Sequence, residues 1–246
     1  MIYIGMDQTG AIDRKKNPKA LPTCLLDGKL TQLFYLDTFN IESIKKLFPN
    51  LIEKNTVICI DCVMGLPLSL KVKWRSALKR TLKIDGYGRK AASEYFMELG
   101  CGLKPRREIE IKCQANSVFN EHPFQKNIQT GTFRFWKEMA LNPDWFYAPA
   151  IESPIKNKMI PIYEGYPSLS WKILFGVKNR EPQNLASLIR KHYPKIQWNQ
   201  RLQKMIQQDP NLADAFVLAL TAKFINDADT QPIHKEGWIL GASHLK

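Results

Sequence analysis

Two short apolar runs, far apart in the chain, each end on an aspartate: Ile2-Tyr3-Ile4-Gly5-Met6-Asp7 and Val57-Ile58-Cys59-Ile60-Asp61. Runs of β-branched and aromatic residues bounded by polar segments read as buried strands. Two such strands lying parallel and adjacent bring Asp7 and Asp61 close together at their carboxyl ends, where open α/β sheets place their ligands. Paired carboxylates there are positioned for divalent-metal chemistry. A third apolar run, Met159 to Tyr163, finishes on Glu164 and is followed by Gly165-Tyr166-Pro167-Ser168.

The residues between these runs order the rest. Gly10 to Leu21 is a Lys-, Arg-, Asn- and Pro-rich loop whose Arg14-Lys15-Lys16 cluster reads as a solvated turn. Thr23 to Leu26 and Leu30 to Leu36 flank Asp27-Gly28, a dipeptide suited to a tight hairpin, and form strands two and three, expected antiparallel to strand one. Asn40 is placed to cap a helix carrying Ile41, Ile44, Leu47 and Phe48, stopped by Pro49. Strand, hairpin, helix and a returning strand that ends in an acid make the first half of a ribonuclease H-like topology.

From Leu68 to Cys113 the pattern is helical and basic: Lys71, Lys73, Arg75, Lys79, Arg80, Lys83, Arg89 and Lys90 alternate with Trp74, Tyr87, Tyr95 and Phe96. Such a surface suits phosphate contacts with base stacking, while the alternative places Trp74, Tyr95 and Phe96 in the core and the charges outside. Further helices are expected at Thr130–Leu141, Ser168–Phe175, Glu181–Tyr193, Trp198–Gln207 and Asn211–Ile225, with Trp145–Ile151 as an additional strand. Ser168 is a candidate N-cap. His122, beside Pro123, reads as a loop histidine.

The helix at Asn211–Ile225 is the most apolar of the chain, and Asp214 interrupts its small-residue face. A carboxylate carried into a packing surface needs a cation or hydrogen-bond donors, although an acid near a helix amino end also gains from the helix dipole. The stretch Gly237-Trp238-Ile239-Leu240-Gly241 reads as a short strand or extended cover.

A length of 246 residues suits one domain with a basic helical insertion around 68–142. The surplus of 36 Lys+Arg over 23 Asp+Glu, a formal charge of +13, favours polyanionic partners. Five cysteines, an odd number, with neither a cleavable signal nor a long apolar run, indicate a reducing, cytoplasmic setting. Cys59 and Cys62 form a lone C-x-x-C without a second pair at zinc spacing, so both read as core thiols. No membrane role is expected.

Taken together, Gly5-Met6-Asp7 with Gly10, Ile60-Asp61 with Gly65-Leu66-Pro67, Glu164 with Pro167, Ala213-Asp214-Ala215 with Ala219 and Thr221-Ala222, and the late Gly237-Trp238-Ile239 resemble a family of predicted ribonuclease H-like nucleases, the domain-of-unknown-function family numbered 429. The resemblance spans almost the whole chain. It implies an α/β ribonuclease H-like fold, a mixed sheet with strand one central and helices on both faces. It also implies that Asp7, Asp61 and Asp214 are metal ligands and, with Glu164, the catalytic acids. Mg2+ or Mn2+ would be the cofactor, with Asp7 bridging two ions, Asp61 and Asp214 each holding one, and Glu164 ligating or orienting water. The expected activity is metal-dependent hydrolysis of DNA or RNA, with Arg75, Lys79, Arg80, Arg89 and Lys90 as nucleic-acid contacts. The segment after Gly65-Leu66-Pro67 departs from the family's Arg and Asp pattern, holding Lys and Arg and only Asp85.

Two other readings share this fold lineage. Asp7-Gln8-Thr9-Gly10 also looks like the first phosphate loop of actin-like phosphotransferases, though a second loop of Asp-x-Gly type is missing. The other is a nucleic-acid-binding module of the same fold that does not catalyse.

Overall fold

The computed structural model describes residues 1–8, 20–28, 30–36, 43–44, 46, 55–100, 106–115, 117–119, 126–225 and 235–245. Six strands form one mixed sheet: β1 (Ile2–Met6), β2 (Leu21–Asp27), β3 (Leu30–Leu36), β4 (Thr56–Ile60), β5 (Phe146–Tyr147) and β6 (Ile160–Glu164), in the order β3-β2-β1-β4-β6-β5. The β3-β2-β1 portion is antiparallel and the remainder parallel, an arrangement consistent with ribonuclease H-like topology. The hairpin turns at Asp27-Gly28, with Gly28 at φ 64°. Only β2 runs antiparallel to β1; β3 pairs with β2 and so runs in the direction of β1, because each hairpin connection reverses the chain once.

Eight α-helices accompany the sheet among the described residues: α1 (Trp74–Thr81), α2 (Arg89–Glu98), α3 (Glu108–Cys113), α4 (Lys126–Leu141), α5 (Pro167–Phe175), α6 (Pro182–His192), α7 (Gln200–Gln208) and α8 (Pro210–Phe224). Ser168 is not an N-cap, since α5 starts at Pro167, whose fixed φ suits the first helical turn. Of the helix expected after Asn40, Ser43, Ile44 and Lys46 are helical with Ile44 buried; the rest lies outside the described residues. Arg14-Lys15-Lys16, Cys101 and His122 also lie outside them.

Strand alternation divides the core in two. Ile2, Ile4 and Met6 of β1 join Ile58 and Ile60 of β4 on one face, where Trp74, Ala77, Tyr95, Phe96, Phe133 and Trp136 of α1, α2 and α4 cover them. The described residues of the 68–142 segment thus supply much of this layer of the core. Trp74, Tyr95 and Phe96 are buried there, so they offer no stacking surface; Trp74 and Trp136 meet edge to face at 5.1 Å.

On the opposite face, Tyr3, Val57 and Cys59 pack with α8, which is itself covered by α5, α6 and α7. Cys59 and Cys62 are buried in different clusters, as expected of core thiols. Among the described residues no helix is long and apolar enough to cross a membrane.

Gly5 decides how closely α8 approaches. A Cβ at this position would lie 2.0 Å from the Ala215 carbonyl oxygen and 2.3 Å from the Ala219 nitrogen. Helix backbone therefore rests directly on strand backbone, one residue pair before the end of β1. Asp209 caps α8 by accepting from the Asn211 amide at 2.8 Å, and the Tyr35 hydroxyl on β3 donates to the same carboxylate, anchoring the start of the helix to the sheet.

Candidate functional site

Asp7 and Asp61 each occupy the first position beyond the end of a parallel neighbouring strand. Met6 pairs with Ile60, and the Asp61 amide donates to the Met6 carbonyl at 2.9 Å. By the alternation that sends Tyr3 and Cys59 toward α8, Asp7 and Asp61 face α8 as well. The α8 residue immediately before Ala215, which touches Gly5, is Asp214. Three acids from β1, β4 and α8, separated by up to 207 positions, thus meet at one end of the sheet, as the sequence led us to expect.

Their electrostatics are those of a crowded acidic site. Asp7 is almost fully buried and its pKa lies well above the usual carboxylate range, raised by burial, then by Asp61 and Asp214. Burial and Asp214 push Asp61 up to about 7. A hydrogen bond also joins the two side chains. Two carboxylates this close cannot both ionise without a counter-charge. Asp214 is likewise raised by burial, against the opposing pull of Arg180 and Trp171.

Among the described residues, the cation in this site is Arg180, from the turn between α5 and α6. Its Nη1 donates to Asp214 Oδ2 at 2.6 Å, and its charge lowers the pKa of Asp7 and Asp61 too. The other oxygen, Oδ1, accepts from the Trp171 indole at 2.8 Å. Asp214 lies in the second turn of α8, and its partners are this arginine and indole. Half-buried Asp61 and exposed Arg180 both open onto a cavity of about 220 Å3, whose walls include Tyr166, Glu164 and Arg107.

Glu164 is not part of this trio. It pairs in register with Ile60, so its side chain leaves the sheet on the face opposite Asp61. There Arg107 grips it through Nη1 at 2.7 Å and Nη2 at 2.5 Å, and the Met64 amide donates to Oε2 at 2.8 Å. Burial raises Glu164 while Arg107 opposes the shift. The negative charge of Glu164 still reaches Asp61 and adds to its raised pKa.

Arg107 itself is fully buried and also donates through Nε to Glu110 at 3.0 Å; burial alone would lower its pKa, but the Glu164 and Glu110 pairs outweigh it and raise it. Glu236 completes this second assembly by accepting from the Leu68 and Glu108 amides, both at 2.7 Å. The tail can approach because Gly65 and Gly237 both take positive φ; a Cβ on either would come within 1.9 Å of the other segment's backbone oxygen. Leu240 then donates to the Glu164 carbonyl at 2.9 Å and Ile239 forms a parallel bridge to Glu164, so the tail is an extended cover on β6.

The expected nucleic-acid contacts divide. Arg75 is held by Glu152 through Nε at 2.5 Å and Nη2 at 2.8 Å, on the α1 side of the molecule. Lys79, Arg80, Arg89 and Lys90 are exposed, with Arg89 donating to Asn127 at 2.7 Å at the start of α4. One turn further along α4, Gly131 abuts Gln8, the residue after Asp7, so the helix that Arg89 bonds also touches the segment leaving β1. Of the proposed phosphate loop, Thr9 and Gly10 fall outside the described residues.

Among the described residues, no three His, Cys, Asp or Glu side chains stand ready-made as an ion cage. Three carboxylates, hard oxygen donors of the kind a divalent cation takes, do converge here, with Asp214 turned toward Arg180 and Trp171. Sequence reasoning missed Arg180, Trp171, Arg107, Glu110 and Glu236. The Arg107/Glu110 spacing of three at a helix start was readable as a local pair. Arg180 stands alone in Lys178-Asn179-Arg180-Glu181-Pro182, and no periodicity marks it. No family model, curated protein or solved structure matches this chain.

Proposed function

We propose that this protein is a divalent-metal-dependent nuclease, built on a ribonuclease H-like fold and hydrolysing phosphodiester bonds of nucleic acid, in line with the nuclease family it resembles. The observation that carries this reading is the meeting of Asp7, Asp61 and Asp214 from three separate elements, the first two joined by a side-chain hydrogen bond. These three residues would hold the ion, Mg2+ or Mn2+. Bound there, it would supply Lewis-acid polarisation of the phosphoryl oxygen and a water of lowered pKa.

The chain's own contribution is placement. The Gly5 contact presses α8 onto β1, which brings Asp214 over the sheet toward Asp7. Trp171 orients the Asp214 carboxylate. Asp61 faces the open cavity and is the trio's route to a substrate. Glu164 we assign to positioning: by fixing the Met64 amide it shapes the loop that follows Asp61. The charge of +13 supports a polyanionic substrate, and exposed Lys79, Arg80, Arg89 and Lys90 are the residues to contact its phosphates.

Incubation with labelled DNA and RNA in Mg2+ or Mn2+ tests the reading. Cleavage is expected from the native chain, with a loss of about 10³-fold or more in Asp7→Asn, which corresponds to about 4 kcal/mol of transition-state stabilisation. Absence of cleavage under all these conditions, or equal cleavage by Asp7→Asn, would overturn it.

A further inference from the structure

We propose that Arg180 is an internal counter-ion that exchanges its carboxylate for a substrate phosphate when a divalent cation enters the trio, so that metal binding and nucleic-acid binding are coupled through this one side chain. The proposal rests on the metal-site reading above and adds a role for a residue that the family likeness does not mark.

Four observations lead to it. Arg180 is the cation paired with Asp214, one of the three converging acids, through a single Nη1 contact of 2.6 Å. The Arg180 side chain is 45% exposed, whereas that of Asp214 is 11% exposed, so the arginine reaches in from solvent over a buried acid. It extends from the turn Val177–Glu181, which follows the left-handed C-cap Gly176 and precedes Pro182, outside any helix. It also lines the cavity onto which Asp61 opens, so the guanidinium can leave Asp214 and stay at the mouth of the site.

Arg107 shows what a permanent arginine looks like in this protein. Its side chain is wholly buried, doubly bonded to Glu164 and bonded again to Glu110. Arg180 has none of that enclosure. A hard dication meets a carboxylate cluster with more charge and more oxygen ligands than one guanidinium nitrogen can offer, so the two compete for Asp214. A guanidinium released at the cavity mouth retains its planar set of donors, matched to phosphate oxygens. Linkage then requires that metal strengthen phosphate binding and that phosphate strengthen metal binding by the same factor.

The test is titration of the purified chain with Mn2+ alone, following unbound ion by electron paramagnetic resonance, for the native protein, Arg180→Gln, Arg180→Lys and Asp7→Asn. Arg180→Gln is expected to bind Mn2+ about tenfold or more tightly than the native chain, with Arg180→Lys between them and Asp7→Asn binding least. In a second arm, a fluorescent oligonucleotide is titrated with and without Ca2+. The native chain should bind it more tightly with the ion present, and Arg180→Gln should lose most of that gain. Equal Mn2+ affinity in native protein and Arg180→Gln, with Asp7→Asn impaired, would overturn the exchange while leaving the metal site standing. If none of the four binds Mn2+, the metal-site reading fails and the exchange with it.

Discussion

Two acidic assemblies flank the carboxyl ends of β4 and β6, one on each face of the sheet, and they are neutralised in opposite ways. Around Arg107, the acids Glu164 and Glu110 find a buried guanidinium and backbone amides, and neighbouring Glu236 takes two further amides. Around Asp7, Asp61 and Asp214 the cation among the described residues is one arginine, its side chain 45% exposed, which reaches Asp214. The first assembly is saturated and ties the tail, the β6 terminus and α3 together. The second, among the described residues, has this arginine and the Trp171 indole, and its Asp61 opens onto the cavity that Arg107 and Glu164 also line. Buried carboxylates are costly unless paired, and under the proposed function a divalent cation would take up the charge of the second set.

Removing the two arginines sharpens this contrast most. Arg107→Ala leaves buried carboxylates without their cation and should lower stability in urea by about 3–5 kcal/mol. Arg180→Gln removes a half-exposed arginine from an acid that keeps its Trp171 bond, and should cost less, about 1 kcal/mol. Equal losses would erase the distinction.

Next in size is Gly5→Ala. Its methyl group would meet α8 backbone, and such overpacking costs about 1–3 kcal/mol. Because the helix must move off the strand, the trio should open as well. Thermal melts and Mn2+ titration together check this, with weakened ion binding alongside a lowered Tm as the expected pair.

The pH dependence of the metal-free protein tests the crowding of these acids directly. Asp61 has a folded-state pKa raised to about 7, so the folded chain holds that proton more tightly than the unfolded chain does. The associated stability is fully present below the unfolded value of about 4 and is lost as pH rises through about 7. Denaturation series from pH 4 to pH 8 should show a decline in the native chain on the order of 2 kcal/mol greater than in Asp61→Asn. An identical profile in both would remove that crowding from the trio.

The smallest effect separates the two kinds of basic residue. Arg75→Ala should cost about 1 kcal/mol or less of stability, since Glu152 holds it, and leave the salt dependence of nucleic-acid binding unchanged. Lys79→Ala and Arg80→Ala should do the reverse, each lowering the slope of log affinity against log salt by about 1.

Much of this arrangement was legible in one dimension. Strand alternation and the terminal aspartates of two apolar runs were enough to bring Asp7 and Asp61 together, because parallel neighbours in register deliver equivalent positions to the same edge. Asp214 was legible as an acid out of place on a greasy helix. Glu164 looked equivalent, being a third acid at a strand end, yet a register offset of one residue from Asp61 sends its side chain to the opposite face. The aromatic residues among the basic helices were ambiguous in sequence for a related reason, since a helix face is assigned only by what packs against it.

Local chemistry therefore determined the strands, the hairpin at Gly28 and the three acids that meet, since those depend on the alternation of side chains and on the cost of burying charge. Only the folded chain decided which cation answers which acid. Arg107 and Glu164 are 57 positions apart, Arg180 and Asp214 are 34 apart, and neither pairing follows from periodicity. An ion pair across such distances depends on where two elements come to rest, and here that was decided by backbone contacts at Gly5, Gly65 and Gly237, where the absence of a side chain lets segments touch.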